Sequence, residues 1–129
     1  QAVLMLDLSL EPSSGSDPGR VVPPRWTQQD SGGEPERVML MIGNSGMQEA
    51  QAYQPGQHGL YTYFLLKGLR GAADLDKSGN VLTGELCAYV HGQVSVVTQT
   101  QVGNPQQTLC LPAAGEGTSL RGISVTKTR

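Results

Sequence analysis

Acidic and hydroxyl side chains recur at fixed intervals between residues 74 and 85. They fill the pattern D-x-D-x-S-G-x5-E, whose fixed positions are Asp74, Asp76, Ser78, Gly79 and Glu85. Ca²⁺ is a hard cation that binds about six to eight oxygen atoms, so one short segment must bring carboxylates, hydroxyls and carbonyls together. The spacing therefore predicts an EF-hand-like calcium loop of Asp74 to Glu85.

The positions of this loop differ in what they offer a cation. The predicted ligands are three side chains early in the loop, one backbone carbonyl and one carboxylate at its end: Asp74, Asp76, Ser78, Asn80 and Glu85. Leu82 has no side-chain oxygen, so a water molecule would bind at the ninth position, and Gly79 permits a sharp turn. The alternative interpretation is an acidic, well-turned connection between two helices that binds no metal.

Apolar side chains at helical spacing lie on both sides of the loop. The first stripe consists of Leu60, Tyr61, Phe64, Leu65 and Leu69, and the second of Leu86, Val90, Val94 and Val97. This spacing is typical of amphipathic helices that bury one face. Residues 58–97 are therefore predicted to form a helix, the acidic loop and a second helix.

Short apolar runs elsewhere predict the strands of an α/β domain. Residues 2–6 and 38–42 are continuous apolar runs, which suit strands that are buried on both faces of a sheet, and residues 107–111 form a third, shorter strand. Residues 123–126 alternate and predict an edge strand or an ordered tail within a C-terminal segment of 113–129. Residues 11–37 are rich in proline and glycine and predict a long, partly mobile surface loop.

Composition excludes some partners. The 129 residues fit one domain, and the net charge of −2 without a basic patch argues against nucleic acid as a partner. No apolar run approaches the ~18 residues of a membrane span. The chain begins at Gln1 without a start methionine or signal peptide, which predicts a processed chain or a fragment. The favoured interpretation of Cys87 and Cys110 is that both are free, buried thiols. A disulfide between them is the alternative that the sequence does not exclude.

Four features together resemble the C-terminal half of a caspase-like domain, of the peptidase C14 and metacaspase type in clan CD. They are a strand that ends in Asp7-Leu8-Ser9, the segment from Met41 to Ser45 with Gln51-Ala52-Tyr53, the helix from His58 to Leu69, and the acidic loop followed by Gln106-Gln107-Thr108. The helix sequence is similar to the family's HGLFTYYLLKGL. His58-Gly59 lies at the start of this helix, so it matches a structural His-Gly of the family and not the catalytic one.

The resemblance implies a three-layer α/β sandwich over residues 1–112, with a mostly parallel sheet flanked by helices. It also implies a cysteine endopeptidase site with the nucleophile at position 9, a catalytic His from an upstream segment, and Asp7 in a pocket for a basic side chain. The missing upstream half of the domain, or another chain, is then expected to cover the open sheet edge.

The main departure from the family is Ser9, which stands where the family has Cys. A hydroxyl is a weaker nucleophile than a thiolate and needs a well-aligned base. We therefore expect an inactive, pseudo-peptidase module that binds peptides or acts as a scaffold in a larger protein or assembly, with Ca²⁺ as a stabilising ion. The alternative is a genuine endopeptidase whose nucleophile has been replaced by Ser9.

Overall fold

The computed structural model describes residues 2–7, 38–44, 51–102, 106–111 and 118–127. Ser9 and the predicted loop of residues 11–37 lie outside this part of the chain. The described strands are β1 (Ala2–Leu6), β2 (Val38–Ile42), β3 (Ala52–Tyr53), β4 (His58–Gly59), β5 (Asn80–Leu82), β6 (Leu109–Leu111) and β7 (Ser124–Lys127). The helices are α1 (Leu60–Lys67), α2 (Thr83–Val97) and α3 (Thr118–Arg121), with π-helical turns at Gly68–Ala72 and Thr98–Val102.

The largest described sheet has three strands in the order β1-β2-β6. β1 and β2 run parallel, with Ala2 opposite Val38 and Leu6 opposite Ile42. β6 pairs with β2 in the antiparallel direction, with Leu111 opposite Leu40. The sequence predicts strands at both five-residue apolar runs, and the structure has them there; the described pairings are one parallel and one antiparallel.

The core lies between this sheet and the two long helices. Both predicted apolar stripes are buried except Leu69, which is partly buried against the same cluster. Met39 and Met41 of β2 belong to the core, and each is almost fully buried. Burial of these side chains against one another is the main force that holds α1 and α2 together. No helix within the described ranges is both long and apolar enough to cross a membrane.

The first helix starts two residues later than the sequence pattern predicts. His58 and Gly59 form β4, which pairs with β3 in the antiparallel direction, and the Leu60 N–H donates a hydrogen bond to the Gln51 carbonyl at 2.8 Å. These partners, which lie five to nine residues earlier in the chain, hold residues 58 and 59 in an extended conformation, so the helix begins only at Leu60.

A disulfide joins α2 to β6 through Cys87 and Cys110. The Cα atoms are 6.5 Å apart, within the usual range of about 4.4–6.8 Å for such a bond. The expectation that both thiols are free was therefore wrong. The sequence could not settle this point because the fold, and not the spacing of 23 residues, brings the two sulfurs together.

Candidate functional site

The acidic loop connects the π-helical turn after α1 with the first turn of α2. The Asp74 N–H donates to the Gly71 carbonyl at 3.1 Å, which closes the preceding turn. Lys77 and Gly79 have positive φ angles of 58° and 80°, so the backbone reverses sharply within the loop. Val81 then enters the core with no exposed surface, as part of β5. The loop is thus anchored at both ends and curled in its middle.

Three carboxylates of this sharply turned loop lie close together. One oxygen atom from each of Asp74, Asp76 and Glu85 lies within 4.8 Å of the other two. Like charges at this separation repel one another, and a cation among them relieves the repulsion. Of the five predicted ligands, the three acidic ones are therefore brought together by the fold.

Backbone N–H groups hold two of these carboxylates. The Ser78 N–H donates to Asp74 Oδ1 and to Asp76 Oδ1, each at 2.9 Å, and the Gly79 N–H donates to Asp74 Oδ2 at 3.0 Å. These bonds fix the orientation of both side chains relative to the turn. A preorganised set of ligands loses less conformational entropy when an ion binds.

Further hydrogen bonds hold Ser78 and Asn80 in the middle of the loop and Glu85 at the start of α2. The Ser78 hydroxyl donates to the Asn80 carbonyl at 3.2 Å, which places both oxygens together. Glu85 Oε2 accepts a hydrogen bond from the Leu82 N–H at 3.0 Å, in the first turn of α2, where a negative charge is favourable.

The donor set fits a hard divalent cation. One oxygen from each of Asp74, Asp76, Ser78 and Asn80, with two from Glu85, would make about six, and a water molecule beside Leu82 about seven. This number is what Ca²⁺ requires, and the ligands are all oxygens.

A second group of residues surrounds Asp7, directly after β1. The Thr62 hydroxyl of α1 donates a hydrogen bond to the Asp7 carboxylate. A Cβ atom on Gly43 would lie 3.0 Å from Asp7 Oδ1, and one on Gly59 would lie 3.1 Å from Asp7 Oδ2. The carboxylate therefore occupies space that two glycines leave open, at the carboxyl ends of two parallel strands.

Tyr61 is the buried neighbour of this carboxylate. Its side chain is 1% exposed, and its hydroxyl has no hydrogen-bond partner among the described residues. Burial first, and the negative charge of Asp7 second, raise the pKa of Tyr61 well above its usual value. Tyr61 is thus a neutral phenol that adds no charge beside Asp7.

Gln106 ties the strand ends around Asp7 to the rest of the chain. Its buried side chain donates to the Gly43 carbonyl at 2.7 Å and accepts from the Gln51 N–H at 3.0 Å. Sequence reasoning did not assign a role to Gln106, Thr62 or Gly43. The available signal was indirect, since all three lie in the segments that carry the family resemblance.

The predicted site residues form two groups on different elements. Asp7 contacts α1 and the end of β2, whereas the predicted metal ligands contact one another between α1 and α2. Ser9 lies outside the described residues, so its neighbours are not defined. His58 is exposed and pairs through its backbone with Tyr53.

The chain was compared with protein-family models, curated proteins and solved structures. No family model matches it, and neither the curated proteins nor the solved structures give a match.

Proposed function

We propose that this chain is a calcium-binding, caspase-like module without peptidase activity, which binds peptide or protein partners within a larger assembly. The observation that carries the proposal is the convergence of Asp74, Asp76 and Glu85 within 4.8 Å. The sharp backbone turn at Lys77 and Gly79 and the start of α2 at Thr83 lie between and beside these carboxylates, which supports the same conclusion.

The affinity for Ca²⁺ follows from the charge and exposure of the loop. Three carboxylates supply the negative charge, Asp76 is exposed, and Leu82 contributes no oxygen to a ligand set. Sites with fewer charged ligands bind more weakly, so we expect a Kd of roughly 10⁻⁵ to 10⁻³ M.

Thermal unfolding with and without Ca²⁺ tests this proposal. At a concentration of about 100 times the Kd, a ligand that binds only the folded state adds about 2.7 kcal/mol of stability. For a chain of this size, about 4 °C per kcal/mol then gives a rise in Tm of about 10 °C.

Glu85→Gln should remove the rise, because it removes the negative charge of the group that closes the loop and one of its two ligand oxygens. Glu49→Gln makes the same chemical change outside the loop and should keep the full rise. Equal responses of both variants, or no response of the native chain at about 0.1 M Ca²⁺, which is about 100 times the highest expected Kd, would contradict calcium binding.

The inactive, caspase-like part of the proposal is supported by Ser9 and by the surroundings of Asp7. Ser9 has a hydroxyl where the resembled family has a thiol. Asp7 is an exposed carboxylate beside two glycines, and Thr62 orients it. A guanidinium or ammonium group is the natural partner of such a carboxylate. We infer that the module binds a basic side chain without cleaving the peptide that carries it.

A fluorescent peptide with Arg at its centre tests this inference by polarisation and by mass spectrometry. Binding without cleavage is expected, and Asp7→Asn should weaken it at least about tenfold because a charge-assisted pair is lost. Asp76→Asn removes one charge elsewhere and should leave peptide binding unchanged. Peptide cleavage that depends on Ser9 would refute the inactive assignment.

The open edge of β1 is a second place for a partner. Among the described strands β1 pairs only with β2, and Leu4 is 41% exposed. The backbone N–H and C=O groups of an unpaired, apolar edge strand can form hydrogen bonds with a further strand. We propose that a further segment of the same domain or another chain covers it. Light scattering should show self-association that Leu4→Lys reduces; a monodisperse native monomer would contradict this.

A further inference from the structure

Two side-chain links join α2 to the segment that leads through β6. Cys87 is bonded to Cys110, and His91 Nδ1 shares a hydrogen bond with Thr108 Oγ1 at 3.2 Å. Four residues along a helix span about 6 Å, and two residues along a strand span about 6.6 Å. The links therefore run side by side, with α2 and this segment in opposite directions.

The same helix carries the last predicted ligand of the calcium loop. Glu85 lies in the first turn of α2, two residues before Cys87. Two residues correspond to about 3 Å along the helix axis. The link between α2 and β6 therefore acts close to the Glu85 carboxylate, next to the hydrogen bonds that the Thr83 N–H and hydroxyl donate to the carbonyls of Ile123 and Leu120.

We propose that the Cys87–Cys110 disulfide is a redox latch on the calcium loop, with tight Ca²⁺ binding in the oxidised chain and weaker binding in the reduced chain. This inference rests on the calcium-binding function proposed above. It adds a regulatory input, a dithiol reductant, that the loop alone does not have.

The chemistry is an exchange between the disulfide and a dithiol. Cys110 is partly exposed, whereas Cys87 is 5% exposed, so a thiolate of the reductant attacks the Cys110 sulfur. The S–S bond breaks, Cys87 leaves as a thiolate and takes up a proton, and a mixed disulfide forms on Cys110. The second thiol of the reductant then releases Cys110, which is also protonated. The protein gains two electrons and two protons, and the dithiol becomes a disulfide.

Reduction leaves α2 with a weaker attachment at this point. The neighbouring link that remains is the hydrogen bond between His91 Nδ1 and Thr108 Oγ1, with which water competes because His91 is exposed. Couplings between two sites in one protein commonly change affinity by about 5- to 150-fold. We expect the Kd for Ca²⁺ to rise at least about fivefold when the disulfide is reduced.

Calorimetric titration of CaCl₂ into the oxidised chain and into the chain in dithiothreitol tests the latch. A Kd at least about fivefold higher in dithiothreitol supports it. The same measurable Kd in both states overturns the latch and leaves the calcium site standing. Absence of binding in both states overturns both proposals.

Variants separate the disulfide from other effects of the reductant. Cys87→Ala with Cys110→Ala should bind Ca²⁺ like the reduced chain and should not respond to dithiothreitol. His91→Ala removes the adjacent link and should keep the redox response.

A second readout covers loss of structure in the reduced chain. If circular dichroism shows that reduction unfolds α2, the latch is tested instead by the dithiothreitol concentration at which half of the disulfide is reduced, measured with and without Ca²⁺. Because coupling is reciprocal, saturating Ca²⁺ should raise that concentration at least about fivefold. An unchanged midpoint overturns the latch.

Discussion

Loss of the Gln106 side chain should destabilise the whole chain, because this side chain bridges two backbone segments far apart in sequence. Gln106 is 1% exposed, donates to the Gly43 carbonyl at 2.7 Å and accepts from the Gln51 N–H at 3.0 Å. Gln106→Ala removes both hydrogen bonds at once. The change therefore tests whether hydrogen bonds to buried backbone groups, and not packing alone, hold the strand ends around Asp7.

The magnitude follows from the burial of the two partners. Gly43 is buried, so its carbonyl loses a hydrogen bond that water cannot replace, at about 1–3 kcal/mol. Gln51 is partly exposed, so loss of the bond to its N–H costs only about 0.5–1.5 kcal/mol. The sum is about 1.5–4.5 kcal/mol, which corresponds to a fall in Tm of about 6–18 °C.

Urea unfolding followed by circular dichroism measures the change in unfolding free energy. Gln93→Ala, at an exposed position of α2, is the control and should change stability by less than about 0.5 kcal/mol. Gln106→Glu has nearly the same shape but points an oxygen at the Gly43 carbonyl, so we expect it to cost at least as much as Gln106→Ala. A Glu variant clearly more stable than the Ala variant would show that packing dominates and would refute the reasoning.

Two further predictions concern single positions. Tyr61→Phe removes a buried hydroxyl that lacks a described partner and should raise the unfolding free energy at pH 7 by about 1 kcal/mol in urea unfolding. The folded-state pKa of Tyr61 is raised above 10.0, so above about pH 10 the unfolded chain loses the Tyr61 proton while the folded chain keeps it. The unfolding free energy should therefore fall by about 1.4 kcal/mol per pH unit above about pH 10, and Tyr61→Phe should abolish this fall. Gly79→Ala, at φ 80°, should destabilise the loop by about 1 kcal/mol and weaken Ca²⁺ binding in calorimetry. Gly92→Ala, in an open part of α2, should instead stabilise by about 0.5–1 kcal/mol in urea unfolding; equal effects of both substitutions would contradict the strain argument.

Local patterns predicted the elements of this chain that depend on local physics. The stripe of Leu86, Val90, Val94 and Val97 predicted α2, and all four side chains are buried. The apolar runs predicted β1 and β2. The short helix α3 and the disulfide escaped prediction because each depends on partners distant in sequence. The start of α1 escaped prediction because residues 58 and 59 pair with β3, which a helical spacing of apolar residues does not record. The expected caspase-like sandwich stays a prediction.

The two candidate sites differ in the same way. The acidic loop could be read from twelve consecutive positions because all its predicted ligands come from one segment. The surroundings of Asp7 could not be read, because Thr62 is 55 residues away and reaches it only through the packing of α1 on the sheet. A site made of one segment leaves a pattern, whereas a site made of several leaves single residues without a visible connection.

The C-terminal strand explains how the acidic loop is held in place. Asn80 and Val81 of β5 pair with Lys127 and Thr126 of β7, so the second half of the loop has a strand partner. The Thr126 hydroxyl also donates to the Leu69 carbonyl at 3.0 Å, ahead of the loop. One strand thereby contacts the chain before Asp74 and again between Asp76 and Glu85. Because these bonds hold the backbone ahead of the loop and in its second half, a cation that binds the loop would have to order less of the backbone and would lose less conformational entropy.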